Sequence, residues 1–360
     1  MFVGLLWGIG VRSFERDAWP LSQIPGPVTR ALARIDVGRG SEALRAAQLP
    51  GLLGELALRA RVTSVKASSA LEGVVVPDER RADRIIANRE VRLRTRSEQE
   101  LAGYRDALDY VWQEDWQPIN VGLVLHLHRL LLGHTATAAA AGVLKSEDNL
   151  VVDKHADGSR TVRFKPVPAS QTPYFMDELI DRYAEQVRRD AQHPVLLVGL
   201  AILDLLVIHP FEDGNGRVAR ILTTALLSQG GYTVGRYVSL EQLVAETDER
   251  YYAALLASTH GWHPAEHDAW PWLEYFVEQL ARAYALFEER AAPARSGGSK
   301  RDRVKEHVLR HAPARFRISD LRSALPGIGD GTIRNALDDL RRDGRVDVDG
   351  PGRGATWTRH

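Results

Sequence analysis

Apolar residues recur at spacings of three and four, with charged residues between them, over Leu44–Val65, Asp78–Arg96, Glu98–Trp112, Val121–Leu132, Met176–Arg189, Val195–Ile208, Val218–Gln229 and Trp272–Arg290. That period lays one apolar stripe along each segment and predicts helices, so the chain reads as mainly α. Two segments depart from it. Leu150–Phe164 holds two short β-branched runs around Asp157-Gly158, a hairpin signal. A lone hairpin is marginal by itself, so this one is expected to lie as a flap over another part of the molecule. The small, Pro- and Gly-rich stretch Ala291–Ser299 reads as a linker.

Beyond the linker a helix is predicted at Arg301–His311, then Ser319 as N-cap of Asp320–Leu325 and a turn from Pro326 to Gly331. Thr332 is expected to cap Ile333–Arg342, and Val346–Val348 and Thr356–Thr358 to pair as a hairpin. Helix, helix, turn, helix, hairpin is the order of a winged helix-turn-helix.

The 360 residues suffice for two to three domains, and 47 Lys plus Arg balance 47 Asp plus Glu. A net charge of zero argues against a surface that coats nucleic acid or anionic lipid throughout, so a charged partner must be met locally. Absent cysteine removes disulfides, thiolate metal sites and a thiol nucleophile. The apolar N-terminus, MFVGLLWGIGV, lacks a preceding basic region and a small-residue cleavage site, and reads as a packed terminus. Val195–Ile208 is too short to span a bilayer and contains Asp204, so a buried helix in a cytoplasmic protein is expected.

The chemistry concentrates in His209-Pro-Phe-Glu-Asp-Gly-Asn-Gly-Arg-Val-Ala-Arg220, directly after the apolar helix. Gly214 and Gly216 permit positive φ and close backbone approach, and the N-terminus of the following helix faces the same point: a phosphate cradle. Arg217 and Arg220, three apart, add donors on one face. Asp213 is a hard carboxylate placed for Mg²⁺, and His209 can accept a proton near neutral pH.

This string resembles the signature of the Fic (Fic/Doc-like) family, H-x-F-x-D/E-G-N-G-R-x-x-R, at every defined position, and with its surroundings the resemblance covers about residues 60–290. It implies a Fic-type helical core with a β-hairpin flap. By the same resemblance His209 is the general base that deprotonates a Ser, Thr or Tyr hydroxyl of a protein target, which attacks the α-phosphate of ATP. Asp213 would hold Mg²⁺, Gly214, Asn215 and Gly216 would form the anion hole, Arg217 and Arg220 would hold the outer phosphates, and Phe211 would anchor the loop. Ser68-Ser-Ala-Leu-Glu72-Gly73 resembles the family's inhibitory pattern S/T-x-x-x-E-G/N, whose glutamate pairs with the second motif arginine. Thr161, Val162, Arg163 and Phe164 would be the flap edge that pairs with the target segment, and Tyr251 and Tyr252 a tyrosine pair near the nucleotide. Thr259 and Lys145 stand where many relatives carry asparagine and arginine, which bears on nucleotide preference.

The expected organisation is therefore an N-terminal helical region with the inhibitory helix (1–97), a catalytic core (98–290), a linker (291–299) and a winged helix domain (300–360). The expected activity is self-inhibited protein adenylyltransfer with ATP and Mg²⁺, directed also at the protein itself. Three alternatives stay open: a DNA-binding regulator whose Fic part senses nucleotide, transfer of another nucleotide, and removal of AMP. Residues 300–360 carry an excess of five positive charges and could meet DNA through Thr332–Arg342 and Arg353, although Asp338 and Asp339 on that helix would repel phosphates. A homodimer is compatible with the resemblance, and no membrane partner is expected. His260, His263 and His267 are not expected to form a metal site, nor His126 and His128 to act together.

Overall fold

A computed structural model describes residues 11–14, 24–88, 91–113, 116, 118–154, 159–190, 192–291, 299–325, 327–350 and 355–360. The apolar N-terminal run before Val11, the Asp157-Gly158 turn, residues 292–298 of the linker, Pro326 and Arg353 lie outside them. The chain divides into two compact units. One comprises Met1–Glu42 and Ala57–Phe287, the other Ala43–Leu56 and Glu288–His360.

The first helices are α1 (Gly26–Gln48), α2 (Pro50–Leu71), α3 (Glu79–Ile86), α4 (Arg96–Val111) and α5 (Val121–Leu132). Two of the predicted segments are interrupted. Leu44–Val65 breaks before Pro50, which cannot donate to a preceding turn and so opens α2. Asp78–Arg96 ends at Ala87, after which Asn88 adopts the left-handed region (φ 53°). Thr95 then accepts the Glu98 N–H at 3.2 Å and starts α4, as Asn120 does for α5 through Leu123 at 2.9 Å.

The hairpin follows as β1 (Val151–Lys154) and β2 (Arg160–Phe164), antiparallel, with Val152 opposite Val162 and Asp153 opposite Thr161. Then come α6 (Thr172–Arg189), α7 (Pro194–Ile208), α8 (Asn215–Gln229), α9 (Leu240–Ala245), α10 (Asp248–Thr259) and α11 (Trp270–Ala291). Helix α7 is buried nearly all round, the expected place for a segment without a polar face. Its one carboxylate, Asp204, accepts hydrogen bonds from the Ser13 hydroxyl, from Ser13 N at 3.3 Å and from Trp262 Nε1 at 2.7 Å. Helices α6 and α8 pack against α7, while α4 and α5 cross at Gly103, where a Cβ would meet Leu131 O at 1.9 Å. That crossing sets how close α5 comes to the loop between α7 and α8. No helix among the described residues is long and apolar enough to cross a membrane.

The second unit contains α12 (Lys300–Arg310), β3 (Arg315–Phe316), α13 (Ile318–Ala324), α14 (Asp330–Arg342), β4 (Val346–Asp349) and β5 (Thr356–Arg359). The strands form an antiparallel sheet in the order β3-β5-β4. Val304, Val308, Phe316, Leu321, Ile333, Leu337, Val346 and Trp357 fill its core. Both predicted caps are displaced: α13 is capped at Arg317 and α14 at Gly329, so Ser319 and Thr332 lie inside their helices.

Candidate functional site

Helix α7 ends at His209, whose backbone takes the left-handed region (φ 50°, ψ 61°), and the loop returns to α8 through Gly214 at φ 83°. Glycine takes that region freely, but the β-carbon of His209 is strained there, so the surroundings must hold the turn. They do so with paired groups. Asn215 accepts Phe211 N–H at Oδ1 (2.9 Å) and donates Nδ2 to Phe211 O (2.7 Å), closing the loop on itself. Phe211 is fully buried and stacks on the His128 ring, centroids 3.8 Å apart. His128 Nδ1 accepts Gly142 N–H at 2.9 Å, which leaves Nε2 to donate to Asp213 O at 3.1 Å.

The His209 ring sits in the same logic. Nδ1 faces Leu206 O at 3.2 Å and donates to it, so Nε2 carries the lone pair. Burial pulls its pKa down to about 4, with the positive charge of Lys145 acting the same way and the Leu206 carbonyl, Glu72 and Asp213 acting against. The ring is therefore neutral and basic at Nε2 through the physiological range.

His209 lines a cavity of about 580 Å³ together with Glu72, Arg163, Phe164, Asp213, Gly214, Asn215, Gly216, Arg220, Tyr251, Tyr252, Leu256 and Thr259. At one end Arg220 donates Nε to Ser68 Oγ (2.8 Å) and Nη2 to both Ser68 O (3.1 Å) and Glu72 Oε1 (2.8 Å). Burial opposes a charge there, but the adjacent carboxylate of Glu72 raises the Arg220 pKa above its ordinary value. A Cβ at Gly216 would lie 2.5 Å from Glu72 Oε1, so only glycine lets the carboxylate approach the start of α8. Gly73, at φ 72°, ends the turn after α2.

Arg217 lies elsewhere. Its guanidinium is buried on Glu100, Nη1 to Oε2 at 2.6 Å, and it does not line the cavity. A ladder runs from Arg96 through Glu100 and Arg217 to Asp213, whose carboxylate accepts Arg96 Nη2 at 3.1 Å, Arg217 Nη2 at 3.4 Å and Gly214 N–H at 2.7 Å. Arg217 thus holds the loop's carboxylate from behind, and the cavity's anion end has Arg220 as its motif arginine.

At the opposite end the hairpin leans over α10. The strand register slips by one residue at Arg163, between the pairs Val151–Phe164 and Val152–Val162. This turns two consecutive side chains, Arg163 and Phe164, into the cavity lining, which regular alternation forbids. Arg163 stacks over the Tyr252 ring at 4.7 Å, and Phe164 over His263 at 5.7 Å. Thr161 and Val162 are exposed and do not line the cavity. Tyr251 is buried beside Arg220, while Tyr252 is half-buried. Thr259 donates its hydroxyl to Leu256 O at 3.1 Å.

Residues 118–227 match the Fic/DOC family model. That stretch of the chain is a Fic/DOC domain. The chain is 32% identical over 139 residues to the protein adenylyltransferase Fic of Nematostella vectensis, covering 37% of this chain and 29% of that protein. To the enzyme of the same name from Drosophila melanogaster it is 29% identical over 135 residues, 37% of this chain and 25% of that one. The chain thus matches less than a third of the length of these relatives. Among solved structures, a Fic family protein from Desulfovibrio desulfuricans G20 superposes with a TM-score of 0.62 over 94% of this chain and 97% of its own, at 21% identity. A Fic domain containing signaling protein from Bacteroides thetaiotaomicron gives 0.57 over 74% and 97%, at 22%. Both likenesses establish the Fic fold.

The Fic site draws on residues that sequence patterns did not single out. Glu100 occupies a buried position on α4, an anomaly for a carboxylate and the signal that could have flagged it. His128, set among the apolar positions of α5, is a loop anchor. Of the later histidines, His263 donates to Lys165 O at 2.8 Å and His267 meets Ser13 Oγ at 3.0 Å. Among the described residues no group of three or more His, Asp or Glu could hold a metal ion. Asp213 is half-exposed and its partner Arg96 largely so, which suits a cation that arrives with phosphates and takes one protein carboxylate.

Proposed function

We propose that the chain is a protein adenylyltransferase that moves AMP from ATP to a Ser, Thr or Tyr hydroxyl of a protein, itself included, and is held off by Glu72. The observation that carries this reading is the neutral His209, with Nε2 as its lone-pair nitrogen, in one cavity with the N-terminus of α8 and Arg220. ATP would place its phosphates against the amides of Gly214–Gly216 and the Arg220 fork, with its base toward Tyr252, Leu256 and Thr259. Mg²⁺, held by Asp213, would screen charge building on the phosphates. His209 takes the proton of the target hydroxyl at Nε2, the hydroxyl oxygen bonds to the α-phosphorus, and the bond to the β-phosphate oxygen breaks to release pyrophosphate. In the state described here, Glu72 occupies the Arg220 donors that an outer phosphate needs. A charge-assisted pair of this kind is worth about 1.5–3 kcal/mol, enough to misplace the phosphates without abolishing nucleotide binding. The lack of cysteine fits the reducing cytoplasm.

The test uses ATP labelled at the α-phosphate. Glu72→Gly should increase self-labelling at least about tenfold, since a charge-assisted bond of that size is removed, and Glu72→Gly with His209→Ala should show none. An unlabelled Glu72→Gly protein that still binds ATP defeats the proposal. AMP removal would instead be lost with Glu72, and a panel of nucleotides separates the other transfers.

A specific observation favours DNA as a partner of residues 300–360, read as a winged helix. Asp339 is enclosed by Lys305, Arg301 and Arg342, the first two of which hold its carboxyl down at about 2, so it does not face outward to repel phosphates. Arg334, Asn335 and Arg341 are exposed on α14 beside Asp338. Anisotropy with a random duplex library should show binding that falls steeply with salt, and R334A/R341A should weaken it and reduce the log-log salt slope by about two. Salt-independent retention, or none at low salt, removes DNA from the function.

A further inference from the structure

His209 is asked to do two things that oppose each other: hold a left-handed backbone, and present a precise ring edge. The carbonyls on both sides of it are fixed from outside the motif. Lys145 is buried, and its Nζ donates to Ile208 O at 3.1 Å and to Asn149 Oδ1 at 2.9 Å. Its backbone N–H donates to Pro210 O at 2.8 Å. Asn149 then donates Nδ2 to Phe211 O at 3.0 Å. One short segment ahead of the hairpin therefore binds the carbonyls of residues 208, 210 and 211, bracketing the base.

We infer that Lys145 is a positioning residue for His209: its ammonium and backbone N–H, relayed by Asn149, hold the left-handed turn that aims the ring into the cavity. An apolar side chain of the same length would keep the packing and the backbone bond. It would lose the two Nζ bonds and leave Ile208 O without that donor. The same ammonium acts on the ring at a distance. The charged groups facing His209 are Lys145, Glu72 and Asp213, and only Lys145 disfavours a second ring proton. The burial that depresses His209 also lowers Lys145 itself, to about 8. The clamp and the electrostatic tuning thus belong to one group.

This inference rests on His209 being the transfer base, and its test separates the two claims. In the Glu72→Gly background, Lys145→Met should lower kcat for AMP transfer at least tenfold while KM for ATP stays within twofold, and Lys145→Arg should recover most of the loss. Independently of activity, the Hε1 proton of His209, followed by NMR, should titrate at higher pH in Lys145→Met than in the parent. Unchanged kcat, or a raised KM with kcat intact, overturns the positioning role. Lowered activity with no shift in the His209 titration and no recovery by arginine overturns it too, leaving Lys145 merely structural. If the Glu72→Gly parent transfers nothing, adenylyltransfer falls, and the titration still decides whether Lys145 governs the His209 ring.

Discussion

His128 shows what a single residue does when both ring nitrogens are spoken for. It accepts from Gly142 N, donates to Asp213 O and carries the Phe211 ring, so one imidazole fixes the middle of the loop between α7 and α8 from α5. His128→Ala should cost about 2–4 kcal/mol, the sum of a buried side chain and an orphaned carbonyl, and should depress AMP transfer with it. His126, two residues away and edge-on to Tyr110 at 4.6 Å, is the control and should cost about 1 kcal/mol or less. Urea unfolding and labelled-AMP assays on both variants decide the matter, and equal losses would refute the anchor. At this scale the site was legible where its parts are contiguous. Glycines, acid, arginines and histidine within twelve positions carry their chemistry in their order. Glu100, His128 and Lys145 act across 117, 85 and 63 residues respectively, and no local pattern reports such contacts. The two motif arginines look equivalent along a helix face. Only the partner, Glu100 for Arg217 and Glu72 for Arg220, separates a guanidinium that braces the loop from one that lines the cavity.

Elements were legible in type more than in extent. Periodicity locates α5 to its exact ends and α7 to within a residue, because both are strongly apolar and bounded by a cap or a proline. It runs through the breaks at Pro50 and Asn88, since an apolar stripe does not record where the backbone turns aside. Amphipathic spacing also begins α6 and α8 too late, because their first turns contain Thr172-Pro173 and Asn215-Gly216, which carry no large apolar side chain for the pattern to register. The hairpin was readable from its β-branched runs. The slip at Arg163 was not, although it decides that Arg163 and Phe164 face the His209 cavity together. Gly103 is the same lesson on a helix pair: its spacing says only helix, while the 1.9 Å approach to Leu131 O makes it the point at which α4 and α5 can cross.

For the whole molecule, equal numbers of acidic and basic residues conceal an uneven distribution of buried charge, and pH exposes it. Burial lowers His128, His209, His267 and His307 to about 4 each, against an ordinary value near 6.5 in an unfolded chain. As pH falls below about 6.5 the unfolded chain takes up protons that the native protein refuses, so stability must decline, by up to about 1.4 kcal/mol per pH unit for each such histidine. The carboxylates do not share this window. Glu98, paired with Arg81, and Asp339, enclosed by Lys305 and Arg301, lie near 2 and give up their contribution only below about pH 4.5. Glu42, raised by burial, acts in the opposite direction and offsets part of the loss. The histidines are unequally shared: His128, His209 and His267 lie in the unit that holds the Fic site, and His307 in the other. Calorimetry at pH 7.5 and pH 5.0 should therefore show the larger unit's transition moving down further than the smaller one's, in low and in moderate salt alike, because burial rather than surface charge sets the shift. A larger-unit transition that stays in place down to pH 5.0 would mean that these imidazoles are not held neutral, and that the case for His209 as a ready base must be rebuilt.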